Sequence, residues 1–384
     1  MGPNADTGTG WAAYEQDSRP PRVKRCKEQR EDNMLKTLRT AAFAGAAAVI
    51  GSVAFAQENL TSNTAGAGTT AGLTATALVE YAANRGVANI QLKDGQTGTN
   101  YIQALAEGKI DIANGPFILP FLLTRAAGPY ASLGKEKGAE IGPNIQLLYP
   151  YTLSIFTMYA YDAKGIKGWG DLKGRKVVNG PPRGAATTNS RALIQLFGGA
   201  KFGDDYESVT VSWNQIPATV MDGTVDAAVI PAMFPGPRIT RTSAAGAMSI
   251  YSMPKAVYET EGAQKLLNKP GSTAFTMPVT ELKAALGDGW TVVSEDDTFR
   301  GMSVVGGDFV NKSMDEALAY ELTKAHIENL EGHKALAPFM ASLNFGVLDP
   351  KVSGLCGPNP VKFHPGAVRA WEEAGADVPD CAKP

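Results

Sequence analysis

The turn Gly180-Pro181-Pro182-Arg183-Gly184 concentrates the groups best suited to hold an anion. It stands between a β-prone run, 175–179, and a helix whose apolar side carries Ala192, Leu193, Leu196 and Phe197. The turn's glycines can take backbone angles closed to other residues. Thr187 or Thr188 is placed to cap the helix. A helix N-terminus offers unpaired N–H groups and a partial positive charge. Arg183 adds a guanidinium whose planar fork matches a carboxylate. A plain βα connection with a solvent-facing Arg183 would use the same residues, so the turn needs support from the rest of the chain.

Other chemistries find less footing. The histidines are His326, His333 and His364, and the first two are seven residues apart rather than the four of a helical zinc pair. No Cys–His cluster accompanies them, so no metal is expected. Gly301-Met302-Ser303-Val304-Val305-Gly306 does not form G-x-S-x-G. There is no Walker motif, and Gly66, Gly68 and Gly72 miss the dinucleotide spacing. The carboxylate pairs Asp204-Asp205 and Asp296-Asp297 lie in loop-like stretches. No nucleophile–base pair stands out, so the expectation is a binding protein without cofactor rather than an enzyme. A formal net charge of −2 gives no electrostatic case for nucleic acid.

The positioning elements begin after an address segment. Residues 1–33 are polar, irregular and basic, and read as disordered or as an over-extended reading frame. Residues 34–56 read as a secretory signal peptide. Lys36 and Arg39 supply its positive start, 41–55 an apolar core too short to span a bilayer comfortably, and Ala54-Phe55-Ala56 the cleavage site. Cleavage after Ala56 removes eight basic and six acidic residues, which takes the net charge from −2 to −4. It also removes Cys26, leaving Cys356 and Cys381, expected to pair in an oxidising compartment and pin the C-terminal tail. No cysteine follows the site, so no lipid anchor is expected, and the mature chain is expected to be soluble in the periplasm.

The rest of the 384 residues is long enough for two domains. A Gly/Thr loop, 64–72, leads into a helix ending near Asn84. A strand at 89–92, a loop with Gln96, Thr97 and Thr99, a helix to Gly108 and a strand at 111–113 form a second unit. The aromatic and β-branched run 146–160 is strongly β-like. Further units place strands at 209–213, 225–230 and 249–251, with helices from Ile216 and near Arg238. Residues 254–290 read as irregular with one or two helices, 299–310 as a strand, and 314–330 and 365–374 as helices. Repeated strand–loop–helix units imply α/β architecture with ligands at the carboxyl ends of the strands. The units fall in two groups. Lobe 1 is expected at 57–160 plus 251–384, hence discontinuous, and lobe 2 at 161–250, with a ligand cleft between them.

Three segments carry a resemblance. They are Gly165-Ile166-Lys167 through Asp171-Leu172-Lys173-Gly174-Arg175-Lys176-Val177 to Gly180-Pro181-Pro182-Arg183-Gly184; Asp222-Gly223-Thr224-Val225-Asp226-Ala227-Ala228 with Phe234-Pro235-Gly236-Pro237; and Gly98-Thr99-Asn100-Tyr101 to Asp111-Ile112-Ala113. In order and spacing they resemble the TAXI family of solute receptors of TRAP transporters. The chain departs from that family at Arg183-Gly184-Ala185-Ala186-Thr187 and in its first glycine loop. The resemblance implies a type II periplasmic-binding-protein fold, a small carboxylate ligand such as an organic acid or glutamate-like amino acid, and TRAP membrane permease subunits as partners of a monomeric receptor. A binding protein of an ABC importer is the nearest rival, and an exported enzyme on the same two-lobe scaffold a more distant one. Three helix N-termini, near Thr69, Thr99 and Thr187, can converge on the cleft. Thr69, Thr70, Gln96, Thr97, Thr99, Arg183, Ala186 and Thr187 are the candidate polar contacts, although threonines at helix starts also serve simply as caps. Phe117, Tyr151 and Phe234 are candidate walls, with a core role competing for Phe117 and Tyr151.

Overall fold

The computed structural model describes residues 58–182 and 184–384. The signal segment, Gln57 and Arg183 lie outside them. The first lobe opens with β1 (Glu58–Asn63), α1 (Thr70–Asn84), β2 (Ala88–Lys93), α2 (Gly98–Ala106), β3 (Ile112–Pro116), α3 (Ile118–Thr124) and α4 (Lys135–Ile141). The long strand β4 (Ile145–Tyr161) follows. The second lobe repeats the plan with β5 (Lys176–Gly180), α5 (Ala185–Gly198), β6 (Glu207–Thr210), α6 (Ile216–Met221), β7 (Ala227–Ala232), α7 (Pro237–Ser243) and β8 (Met248–Tyr251).

The remaining chain supplies α8 (Lys255–Tyr258), α9 (Glu261–Leu267), β9 (Ser272–Pro278), α10 (Val279–Leu286), β10 (Trp290–Val293) and β11 (Thr298–Asn311). It then returns to the first lobe with α11 (Glu316–Glu328), α12 (Leu330–Ala335), α13 (Pro350–Ser353), β12 (Lys362–Phe363) and α14 (Pro365–Glu373). Strands run β2-β1-β3-β11-β4-β7-β5-β6. Each lobe therefore carries the same arrangement: a central strand (β1 or β5) between two parallel neighbours, closed by an antiparallel long strand.

The duplication reaches single side chains. Gly108-Lys109-Ile110-Asp111-Ile112-Ala113 and Gly223-Thr224-Val225-Asp226-Ala227-Ala228 share the pattern G-x-x-D-x-A. Both glycines take φ near +70°, 71° at Gly108 and 72° at Gly223, which a side chain would strain.

β4 and β11 thread both lobes. Leu147, Tyr149 and Tyr151 of β4, with Val305 and Phe309 of β11, sit in the first core. Further along, Phe156, Met158 and Met302 enter the second lobe's core on one sheet face, and Ile155, Tyr159 and Phe299 on the other. A near-continuous buried run of this kind is what a strand covered on both faces needs. At Gly306 the two lobes' shared strand passes so close to β3 that a Cβ would overlap the Gly115 carbonyl.

The structure departs from the sequence reading in several places. Residues 254–290 contain two strands, β9 and β10, which pair with β11 and β8. Phe275, Met277 and Trp290 from this stretch pack in the second lobe's core, so that core draws on chain beyond residue 250. α5 begins at Ala185 with Gly184 at its N-cap, so Thr187 and Thr188 lie inside the first turn rather than capping it. β6 ends at Thr210, which leaves Trp213 in a loop instead of a strand. Cys356 and Cys381 are joined by a disulfide, with a Cα–Cα distance of 5.4 Å.

A polar cluster is enclosed in the first lobe. Asp308 on β11 is fully buried and accepts from Tyr151 Oη at 2.7 Å and from the Asn114 amide. Its other oxygen approaches His326 Nε2 to 2.7 Å, and His326 Nδ1 meets His333 Nε2 at 3.0 Å. Tyr149 stacks on His326 and Trp371, and Phe345 on His333. Burial first, and the neighbouring His326 second, push the His333 imidazole down to about 3, which Asp308 offsets only in part.

Candidate functional site

The loop after β1 in one lobe meets the segment after β7 in the other. The contact that shows this is Thr70 at the start of α1. Its Oγ1 donates to Leu153 O of β4 at 2.8 Å and lies 3.3 Å from Met233 Sδ, just past β7. In each lobe, successive βα steps leave the central strand on opposite sides, and such a reversal opens a crevice at the strand ends where open α/β sheets take ligands.

In the first lobe, Thr69 caps α1 by accepting from Gly72 N at 3.1 Å, and it donates to Gly66 O at 2.7 Å. Thr70 is buried and its hydroxyl is committed to Leu153. Thr97 is the exposed N-cap residue of α2 and makes no capping bond through its side chain, and Thr99 follows in the first turn, half-buried. Gln96 bonds back to Asp94 O at 2.9 Å. Phe117 is fully buried against Phe309, and Tyr151 is held by Asp308 beside Phe345, so both side chains are taken up by the first core.

In the second lobe, Ala186 is partly buried at the start of α5, and Thr187 is buried with its hydroxyl donating to Pro181 O. Phe234 is buried beneath the loop after β7. Arg183 belongs to the same turn but lies outside the described residues.

Polar capacity is left over at these strand ends. Thr64, directly after β1, is fully buried and its hydroxyl has no partner among the described residues. Asn179, next to last in β5, uses its oxygen for Ser208 Oγ at 2.6 Å but leaves its buried amide nitrogen unpaired among the described residues. Buried polar groups without partners are uncommon and call for a ligand, water or strain to explain them.

A charged group stands beside these: Arg238, half-buried at the start of α7. It donates to Pro231 O at 3.0 Å, and its guanidinium lies 5.0 Å from the centre of the Trp213 ring. Asp226 does not pair with it, because that carboxylate takes Lys164 at 3.5 Å and Lys176 N at 2.9 Å. Among the described residues no carboxylate pairs with Arg238. Burial lowers its pKa, and the Tyr159 hydroxyl nearby, itself buried and unpaired among the described residues, offsets this only in part. The Trp213 ring tip in turn reaches over Gly180 at the end of β5.

Trp213, Thr64 and Asn179 were not singled out by the sequence. Trp213 was hidden by reading β6 three residues too long. Thr64 and Asn179 are ordinary strand-end residues whose unpaired state only burial reveals.

Two α/β lobes that share one sheet and are threaded by the long strands β4 and β11 define a type II periplasmic-binding-protein fold. The chain belongs to the NMT1-like family, whose model matches residues 63–375. The family is one of solute-binding proteins. Among solved structures, the chain is similar to the periplasmic aliphatic sulphonate binding protein SsuA from Escherichia coli, at 16% identity over 85% of this chain and 95% of that one, with a TM-score of 0.42. It is also similar to a TRAP periplasmic solute binding protein from Rhodobacter sphaeroides, at 15% identity, covering 83% of this chain and 91% of that one, TM-score 0.44. A TctC solute binding protein from Polaromonas is similar at 11% identity, covering 73% and 88%, TM-score 0.43. No curated protein sequence matches the chain.

Proposed function

We propose that the protein is a periplasmic receptor, exported through the signal peptide at 34–56, that captures a small carboxylate between its lobes. An organic acid or a glutamate-like amino acid is the ligand class. The receptor then hands it to the membrane subunits of a TRAP-type, sodium-driven permease. The observation that carries the carboxylate is Arg238, a partly buried guanidinium without a carboxylate partner among the described residues, set against Trp213. A desolvated cation gains most from an anion that can reach it, and a guanidinium binds a carboxylate through two parallel bonds. Thr69, Thr70, Gln96, Thr97, Thr99, Arg183, Ala186 and Thr187 are the proposed polar surroundings. Phe234 is a proposed wall, and the unpaired Thr64 and Asn179 groups are added donors. The TRAP assignment rests on the order of the three resembling segments.

Thermal-shift screening of the purified protein against carboxylates, sulfonates, amino acids and sugars tests the ligand class, because a ligand that binds only the folded state raises the melting temperature. A shift with carboxylates, and recovery of unchanged compound by mass spectrometry, supports the receptor reading. A response to sugars alone overturns the carboxylate. Reconstitution with candidate membrane subunits from the same organism decides the transporter: uptake that stops when the sodium gradient is dissipated supports TRAP, and uptake that needs ATP assigns an ABC importer.

A further inference from the structure

Away from the crevice, a cavity of about 270 Å³ opens between the turn 268–273 and the loop 350–359. Its two walls continue into different cores. The turn follows α9, whose Leu267 packs in the second lobe, while Leu355 of the opposite loop packs in the first. One hydrogen bond crosses between them, from Thr273 Oγ1 to Val352 O at 3.2 Å. The disulfide at Cys356 ties the loop to the C-terminal tail.

The lining mixes hydrocarbon, neutral polar side chains and two lysines. Pro270, Pro350, Pro358 and Leu355 supply hydrocarbon. The neutral polar groups are already engaged: Asn268 Oδ1 accepts from Ala274 N at 3.0 Å, and Ser272 Oγ donates to Lys269 O at 3.0 Å. What is left without a partner is positive charge. Lys269 lines the cavity partly withdrawn from water, with no ion pair among the described residues, and Lys351 lines it from the exposed side, likewise unpaired. Burial alone lowers the Lys269 ammonium's pKa, with no neighbouring carboxylate to oppose it. A small cavity with apolar walls and one or two fixed charges suits a small amphipathic molecule of opposite charge.

We propose that this cavity is a second binding site, for a short-chain organic acid, whose carboxylate meets Lys269 and whose hydrocarbon lies on the prolines and Leu355. Because its walls come from both lobes, an occupant tethers one lobe to the other and stabilises the spacing in which it fits. The site is independent of the crevice and of Arg238.

Butanoate is the probe, with butylamine and butanol as isosteric controls, followed by thermal shift on the whole protein and by calorimetry. Butanoate is expected to raise the melting temperature while the two controls do not. Lys269→Met should weaken butanoate binding at least tenfold and Lys269→Arg should retain most of it, both measured in an Arg238→Gln background so that the crevice does not contribute to the signal. A crystal soaked in 3-bromopropanoate should show bromine between the prolines and Leu355. Equal responses to butanoate and butanol overturn the proposal. So does undiminished binding by a folded Lys269→Met protein, or binding that is lost with Arg238→Gln, which would assign butanoate to the crevice. Should Lys269→Met not fold, the bromine position decides: density elsewhere overturns the site.

Discussion

Asp111 and Asp226 make the same joint in the two lobes. Asp111 Oδ2 accepts from Thr61 N of β1 at 2.8 Å, and Asp226 Oδ2 accepts from Lys176 N of β5 at 2.9 Å. In both cases the aspartate's own N–H also bonds the same residue's carbonyl, Asp111 to Thr61 at 3.1 Å and Asp226 to Lys176 at 2.8 Å. Each carboxylate thereby locks the start of the third strand to the central one, within β1 in the first lobe and at the first residue of β5 in the second. Replacing either by Ala leaves a backbone N–H without its charged acceptor, at a cost of about 1–3 kcal/mol. The two sites share no partner, so the double variant should lose the sum of the single effects. Denaturant midpoints of the three variants check this, and a double variant no worse than one single would show that the joints are not independent.

Arg238 should govern affinity for acids. Arg238→Gln is expected to weaken carboxylate binding by about 1.5–3 kcal/mol, the range for a charged hydrogen bond. Trp213→Ala should weaken it by a smaller amount, about 0.5–2 kcal/mol, through loss of the ring that holds the guanidinium. Calorimetry with the best ligand from the screen measures both, and an unchanged dissociation constant for Arg238→Gln removes this residue from the site.

Acid should destabilise the first lobe through His333. In the folded chain this imidazole stays neutral down to about 3, whereas the unfolded chain takes up a proton near 6.5. Its favourable contribution is thus complete above that value and is lost as pH falls from there toward 3, at about 1.4 kcal/mol per pH unit. His326 faces it directly and Asp308 lies one step beyond. His333→Gln should flatten unfolding stability between pH 6 and 4, measured by urea melts; a slope equal to that of the unaltered protein would rule His333 out as the source.

Reduction should loosen the C-terminal tail. The disulfide joins residues 25 apart. Closing a loop of that length in the unfolded chain is worth about 3 kcal/mol. Cys381→Ser is expected to lower the unfolding midpoint accordingly, and dithiothreitol should have little further effect on that variant.

Gly306 has no room for a side chain. Gly306→Ala would drive a methyl group into the Gly115 carbonyl where β11 pairs with β3. Such overpacking costs about 1–3 kcal/mol. The same change at Gly170, which has open space around it, should be close to neutral by thermal melting.

Local pattern determined much of this protein. The aromatic and β-branched run 146–160 announced the long strand Ile145–Tyr161, and the helix expected at 365–374 is present as Pro365–Glu373. The strand–loop–helix units, their order and the pairing of Cys356 with Cys381 were legible for the same reason: each rests on near neighbours in the chain or on a small count. Tertiary structure alone decided the rest. β9 and β10 have little periodicity of their own and are strands because β11 and β8 offer edges to pair with. Thr187 looked like a cap, yet Gly184 caps the helix three residues earlier and the Thr187 hydroxyl turns back to Pro181. Tyr151 could have faced a ligand and instead binds Asp308, 157 residues away. The isolation of Arg238 from every described carboxylate, and its place over Trp213, depend on where two loops of different strands end. Partnership and burial are long-range quantities, set by which segments meet, and one chain read in order does not contain them.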